Sequence, residues 1–61
     1  MKIDFFIKNQ PDLAEKWENY NGPVPNIGDN VQLSKEVFSR KVLFKTILST
    51  KVRIILSDKF I

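Results

Sequence analysis

Apolar and polar residues alternate along the first eight positions. Ile3, Phe5 and Ile7 fall on one side, and Lys2, Asp4, Phe6 and Lys8 on the other. Period-two alternation in a β-branched and aromatic segment predicts a strand over 1–8. Phe6 is the exception on the polar side and suits a second, smaller contact. Asn9-Gln10-Pro11 ends the strand. Pro11 then fits the first position of a helix, with Asp12 and Glu15 in its favourable first turn. Leu13, Trp17 and Tyr20 recur at i, i+4 and i+7 with Ala14 beside them. That stripe predicts a short helix from about 11 to 20, which needs Trp17 docked on the sheet to hold. The competing reading makes 15–20 a strand paired with the first.

Residues 21–30, Asn-Gly-Pro-Val-Pro-Asn-Ile-Gly-Asp-Asn, contain both glycines and two of the three prolines. They predict a loop or a series of turns. Val31 and Leu33 begin a short strand. From Glu36 onward the chain is dense in strand formers, and 36–57 read as a long strand and its hairpin partner. With Ile47 facing Lys51 across Leu48-Ser49-Thr50, Thr46 meets Val52, Phe44 meets Ile54, Val42 meets Leu56 and Phe38 meets Phe60. All four pairs share one face, and Arg40 falls opposite Asp58. A shift by one residue would set Phe44 against Ile55 and Thr46 against Arg53, mixing the faces. The loop lacks the glycine that three-residue loops usually place in the left-handed region. A helix over 35–48 is the alternative, opposed by the β-branched and aromatic content.

These elements predict one domain, 1–61, of mostly β (α+β) class. It is a small, mostly antiparallel sheet or a partly open barrel with one short helix. Pro25-Asn26-Ile27-Gly28-Asp29-Asn30-Val31 resembles the entry to a strand in SH3-like barrels, where a Gly-Asp turn precedes an alternating strand. The same segment, together with residues 2–8 and 37–56, resembles short uncharacterised proteins of gut Bacteroidetes and their mobile elements. Those proteins open with a lysine-rich strand, carry a Pro-x-x-Gly-Asp turn and close with a Val/Phe-rich hairpin. The resemblance implies no activity and supplies no site residues.

Charge is divided unevenly along the chain. Residues 1–34 hold three lysines against five acids, whereas 35–61 hold seven basic groups against two acids. A polyanion or an acidic protein surface is the partner such an asymmetry suits. A 61-residue domain buries only about 60% of its unfolded surface. With no cysteine or histidine, its stability must come from a compact core or self-association. No apolar run approaches the roughly 20 residues of a spanning helix, and Asp4 and Lys8 interrupt anything like a signal peptide. The expectation is a cytoplasmic protein without a membrane partner.

Candidate chemistry is sparse. Without histidine or cysteine there is no ordinary catalytic triad, thiol nucleophile or typical zinc site. Asp12, Glu15 and Glu18 have the spacing of a solvated helix face, and Asp29-Asn30 lacks the EF-hand pattern. Gly22 and Gly28 form no phosphate loop. No enzyme activity, cofactor or metal is expected. Trp17 reads as a core filler before it reads as a binding anchor.

The second hairpin face carries the functional suggestion. It would show Lys41, Leu43, Lys45 and Ile47 opposite Ser57, Ile55, Arg53 and Lys51, with Lys45 directly across from Arg53. Such a like-charge contact is tolerable where an anion occupies the face. Buried aliphatics under a helix, with snorkelling cations, are the structural alternative. Two function classes follow. One is a non-catalytic module docking this face on an acidic protein, as a phage or mobile-element accessory or inhibitor would. The other is a small nucleic-acid-binding barrel contacting phosphates. The absence of aromatics from that face favours the protein partner, since nucleic-acid sheets stack bases on two or three of them.

Overall fold

The computed structural model describes residues 1–61, which form five strands and no helix. They are β1 (Lys2–Ile7), β2 (Leu13–Trp17), β3 (Asn30–Val31), β4 (Arg40–Ile47) and β5 (Lys51–Leu56). One sheet of order β2-β1-β5-β4-β3 curls into a half-barrel. Three of its pairings are antiparallel; the central one, β1 with β5, is parallel from Lys2–Lys51 to Ile7–Leu56. The sheet is therefore mixed rather than antiparallel. Two hairpins, each too small to stand alone in water, are joined side by side through their first and last strands.

The expected helix over 11–20 is absent, and β2 takes its place. It pairs antiparallel with β1, Ile3 with Trp17, Phe5 with Glu15 and Phe6 with Leu13. A register shift between Phe5 and Phe6 leaves Ala14 as the extra residue of a bulge. Apolar residues at 13, 14 and 17 mimic a helical stripe because the bulge interrupts the alternation. Leu13 points outward and is 44% exposed, while Ala14 and Trp17 pack on the core. Asn9 (φ 65°) and Asn19 (φ 55°) bracket the strand in the left-handed region that asparagine tolerates.

The β4–β5 hairpin departs from the expected register by one residue over its outer half. Val42 pairs with Leu56 as expected, but Phe44 pairs with Ile55, Lys45 with Ile54, Thr46 with Arg53 and Ile47 with Val52. The turn explains the slip. No residue between Leu48 and Lys51 has positive φ, so a three-residue loop with its left-handed position is not formed. The turn tightens around Ser49-Thr50, and the Leu48 amide donates to the Lys51 carbonyl at 2.8 Å. A bulge at Leu43 absorbs the shift, leaving the base of the hairpin in place while the outer half is rotated by one side chain.

The inner face of the curl holds the core: Ile3 and Phe5 from β1, Val52, Ile54 and Leu56 from β5, Val42 from β4, and Val31 and Leu33 from the β3 segment. Trp17 meets Phe5 edge-on at 4.6 Å and lies 5.0 Å from Tyr20. Gly28 (φ +95°) makes the turn that opens β3, and the Asn26 amide donates to the Asp29 carboxylate there at 2.8 Å. At the start of β4, opposite Val31 of β3, Arg40 is buried. It forks onto Glu36 at 2.7–3.0 Å, donates to the Ser57 carbonyl and lies 4.0 Å over the Phe60 ring. Its carboxylate partner is Glu36 rather than Asp58, because the ladder stops at Leu56. Phe38 and Phe60 do meet, at 5.9 Å, but outside the ladder.

Phe5 is fully buried and Phe44 is 58% exposed, so truncating each has opposite consequences. Phe5→Ala costs about 3–5 kcal/mol, most of what a domain of this size possesses. Thermal unfolding should lose its cooperativity or fall by more than about 12 °C. Phe44→Ala should melt within about 3 °C of the parent. Equal losses in the two variants would show that Phe44 belongs to the core.

Candidate functional site

The outer face of the half-barrel is built by the pleat of four strands. β1 presents Lys2, Asp4 and Phe6 there, and β5 presents Lys51, Arg53 and Ile55 between the inward Val52, Ile54 and Leu56. β2 adds Leu13 and Lys16 through their pairing with Phe6 and Asp4. Beyond the Leu43 bulge, β4 contributes Phe44 and Thr46, opposite the outward Ile55 and Arg53. Lys41 lies on the near side of the bulge, exposed between the buried Arg40 and Val42.

The registers align these residues in rows. Leu13, Phe6, Ile55 and Phe44 form an apolar row across four strands, with the Phe6 and Phe44 positions about 10 Å apart on either side of Ile55. The neighbouring row is Lys16, Asp4, Arg53 and Thr46. The Arg53 guanidinium lies 5.4 Å over the Phe6 ring. Where the apolar row meets the β1–β2 turn there is a groove of about 310 Å³, bordered by Phe6, Lys8, Asn9, Gln10, Phe44, Arg53 and Ile55. Five cations from the strands (Lys2, Lys16, Lys41, Lys51 and Arg53) share this face with the single carboxylate of Asp4.

Asp4 is buried although it points outward. Its Oδ2 accepts from Lys51 Nζ at 2.8 Å, and its Oδ1 is buried without a partner. The hydrogen bond and charge of Lys51, helped by Lys16 and Arg53, outweigh desolvation and hold its carboxyl below the ordinary aspartate range. Glu15 is also buttressed. Burial pushes its carboxyl up, but hydrogen bonds from the Ser34 hydroxyl, the Trp17 indole and the Ser34 amide bring it below the ordinary value. Glu36 holds the Arg40 guanidinium above its usual range, against the opposing effect of burial.

The seven residues expected to form a binding face divide. Arg53 and Lys41 are exposed on the outer face, Ile55 floors the groove, and Lys51 is there but committed to Asp4. Leu43 sits in the bulge. Lys45 is half-buried and turned to the other side, opposite Ile54, with its ammonium 2.8 Å from Asn26 Oδ1. It is not across from Arg53. Ile47, 74% exposed, lies at the hairpin tip beside a smaller cleft of about 220 Å³ that includes Met1 and Leu48. Phe44, Leu13 and Lys16 enter the face unannounced, whereas Phe6 was signalled by its break in the alternation.

No group of three or more histidine, cysteine, aspartate or glutamate side chains is placed to hold a metal ion. With no helix, none is long and apolar enough to cross a membrane. No protein-family model, curated protein or solved structure matches the chain.

The two perturbed carboxylates set the acid limb of stability. Each is more acidic in the folded chain, so its contribution is complete above the unfolded value of about 4. It is lost as the pH falls through the folded pKa. The thermal midpoint should be level between about pH 5 and 7 and drop by several degrees towards pH 2. Asp4→Asn should lower the plateau and shrink that drop. A midpoint that is flat to pH 2 would mean that neither carboxylate is more acidic folded than unfolded.

Proposed function

We propose that this protein is a non-catalytic module that binds single-stranded nucleic acid on the outer face of its half-barrel. The observation that carries the reading is the position of Phe44. The Leu43 bulge rotates it out of the core side and sets it level with Phe6 across Ile55, beside Arg53. Sheets that bind single strands combine exposed aromatics, on which bases stack, with cations that follow the phosphates. Here the exposed Phe44 supplies the stacking platform, and the half-buried Phe6, with the Arg53 guanidinium over its ring, extends it. Lys2, Lys8, Lys16, Lys41 and Arg53 supply phosphate contacts on both sides of the apolar row. Lys51 neutralises Asp4, which would otherwise repel a phosphate passing between them.

Docking on an acidic protein is the second reading, favoured by the modest net charge of +3 and by the apolar Ile55–Phe44 floor. Salt dependence distinguishes the two. Single-strand binding with about four phosphate contacts gives a log–log slope of roughly −3, whereas a largely apolar protein interface responds chiefly in its association rate.

The experiment is fluorescence anisotropy of a labelled nine-nucleotide DNA or RNA strand titrated with the full chain. Phe44→Ala should weaken binding by about 5- to 150-fold without loss of fold, as expected for roughly 1–3 kcal/mol per stacked base. Arg53→Glu should weaken it further and flatten the salt slope. Lys45→Glu, on the other side of the sheet, should leave it within about twofold. Absence of binding to any strand at low salt, or equal loss from Lys45→Glu and Arg53→Glu, would overturn the reading and return the face to the protein-docking class.

A further inference from the structure

The groove at the end of the apolar row differs from the rest of the face in its polar groups. Elsewhere the polar groups that the strands present on the outer face are cations, the Asp4 carboxylate and the Thr46 hydroxyl. At the groove, two carboxamides, Asn9 and Gln10, stand beside the Phe6–Ile55–Phe44 floor, with Lys8 and Arg53 on the same rim. Asn26 spends its carboxamide on Lys45, but no hydrogen bond within the chain engages the side chain of Asn9 or Gln10. The backbone beneath them is fixed. Asn9 sits at φ 65°, the Gln10 amide donates to the Ile7 carbonyl at 3.0 Å, and the Lys8 amide donates to the Leu56 carbonyl at 2.8 Å. Two free donor–acceptor groups are thus held at one end of a stacking surface.

We infer that this groove reads a single adenine. The inference rests on the single-strand reading above and adds a base preference to it. At about 310 Å³ the groove lies at the small end of ligand sites, which suits one nucleotide rather than two. A base stacked on Phe44 over Ile55 directs its edge towards the turn. A carboxamide both donates and accepts, as the N6 amino group and N7 of adenine require. The lysine and guanidinium at the rim are donors only, and pair with the phosphate of the same nucleotide. Guanine offers two acceptors at the corresponding positions; it would leave the carboxamides half matched and would be matched by Lys8 or Arg53 only if these left the phosphate.

The test uses the full chain and labelled thymidine nonamers carrying A, G, C or T at the central position. The parent should bind the adenine strand about tenfold more tightly than the all-thymine strand. The variant to compare is Asn9→Gly with Gln10→Ala. Glycine keeps the positive φ at position 9 without strain, and Gln10 is exposed, so the fold is retained. That variant should bind all four strands alike, at the parent's affinity for thymine. In NMR titrations with AMP, the Asn9 and Gln10 side-chain carboxamides and the Phe44 amide should shift in the parent, and in the variant the Phe44 shift should need about tenfold more AMP. Binding without base preference, a preference for guanine, or adenine preference surviving in the variant would overturn the adenine inference and leave the single-strand reading standing. Failure of every strand to bind would overturn both.

Discussion

The parallel ladder between β1 and β5 is the contact on which the rest of the structure depends. Its two strands are separated by 43 intervening residues between Ile7, which ends one, and Lys51, which begins the other, yet they supply most of the fully buried side chains: Ile3, Phe5, Ile54 and Leu56. Without it the chain is two separate hairpins, neither with a second layer to cover its apolar face. The same ladder brings Asp4 to Lys51 on its outer side, so an ion pair and a hydrophobic seam close the same contact from opposite faces. Breaking either hairpin leaves the other without its neighbour. Joining the two chain ends also fixes the outer face, since Phe6 comes from one hairpin and Phe44 from the other.

A second constraint lies in the turn. Leu48-Ser49-Thr50-Lys51 has no residue suited to positive φ, so the connection closes with two central residues instead of three. The extra residue is displaced along β4 to Leu43. Inward and outward positions exchange beyond that point. Phe44 and Thr46 turn out; Lys45 and Ile47 turn towards the inner side. A feature of loop geometry, four residues from the nearest stacking ring, therefore decides whether the face reads as aliphatic or aromatic.

Much of the fold was legible in the residues. The alternation of 1–8, the punctuated loop of 21–30, the turn at Gly28-Asp29 and the strand character of 40–56 all correspond to what forms. So does the Val42–Leu56 pair, because the apolar matching there is strong and lies on the unshifted side of the bulge. The parallel pairing was not legible, since periodicity within a strand says nothing about its neighbours. The two bulges were the other obstacle. Ala14 and Leu43 each break a period of two, and a pattern read without a break turns the first into a helix and the second into a wrong register. Phe6 was the available signal for the site. An aromatic on the polar side of an otherwise clean alternation marks a second face with contacts of its own.

The cations of the sequence do not form one class. Arg40 is buried and saturated by Glu36, Ser57 and Phe60; Lys45 is tied to Asn26 and Lys51 to Asp4. These three fasten the start of β4, the loop and the central ladder. Lys2, Lys16 and Lys41 make no ion pair within the chain, and Arg53 makes only its approach to Phe6. All four belong to the outer face. Counting charge along the chain puts the basic surplus in residues 35–61, but folding recruits Lys2 and Lys16 from the acidic half and withdraws Arg40 and Lys45 from the basic one. A chain with a net charge of only +3 thereby sets five of its eight cations without an ion pair, Lys2, Lys8, Lys16, Lys41 and Arg53, around one row of aromatic and aliphatic side chains. For a polyanion, that local balance matters more than the total, because screening confines each cation's reach to about 10 Å.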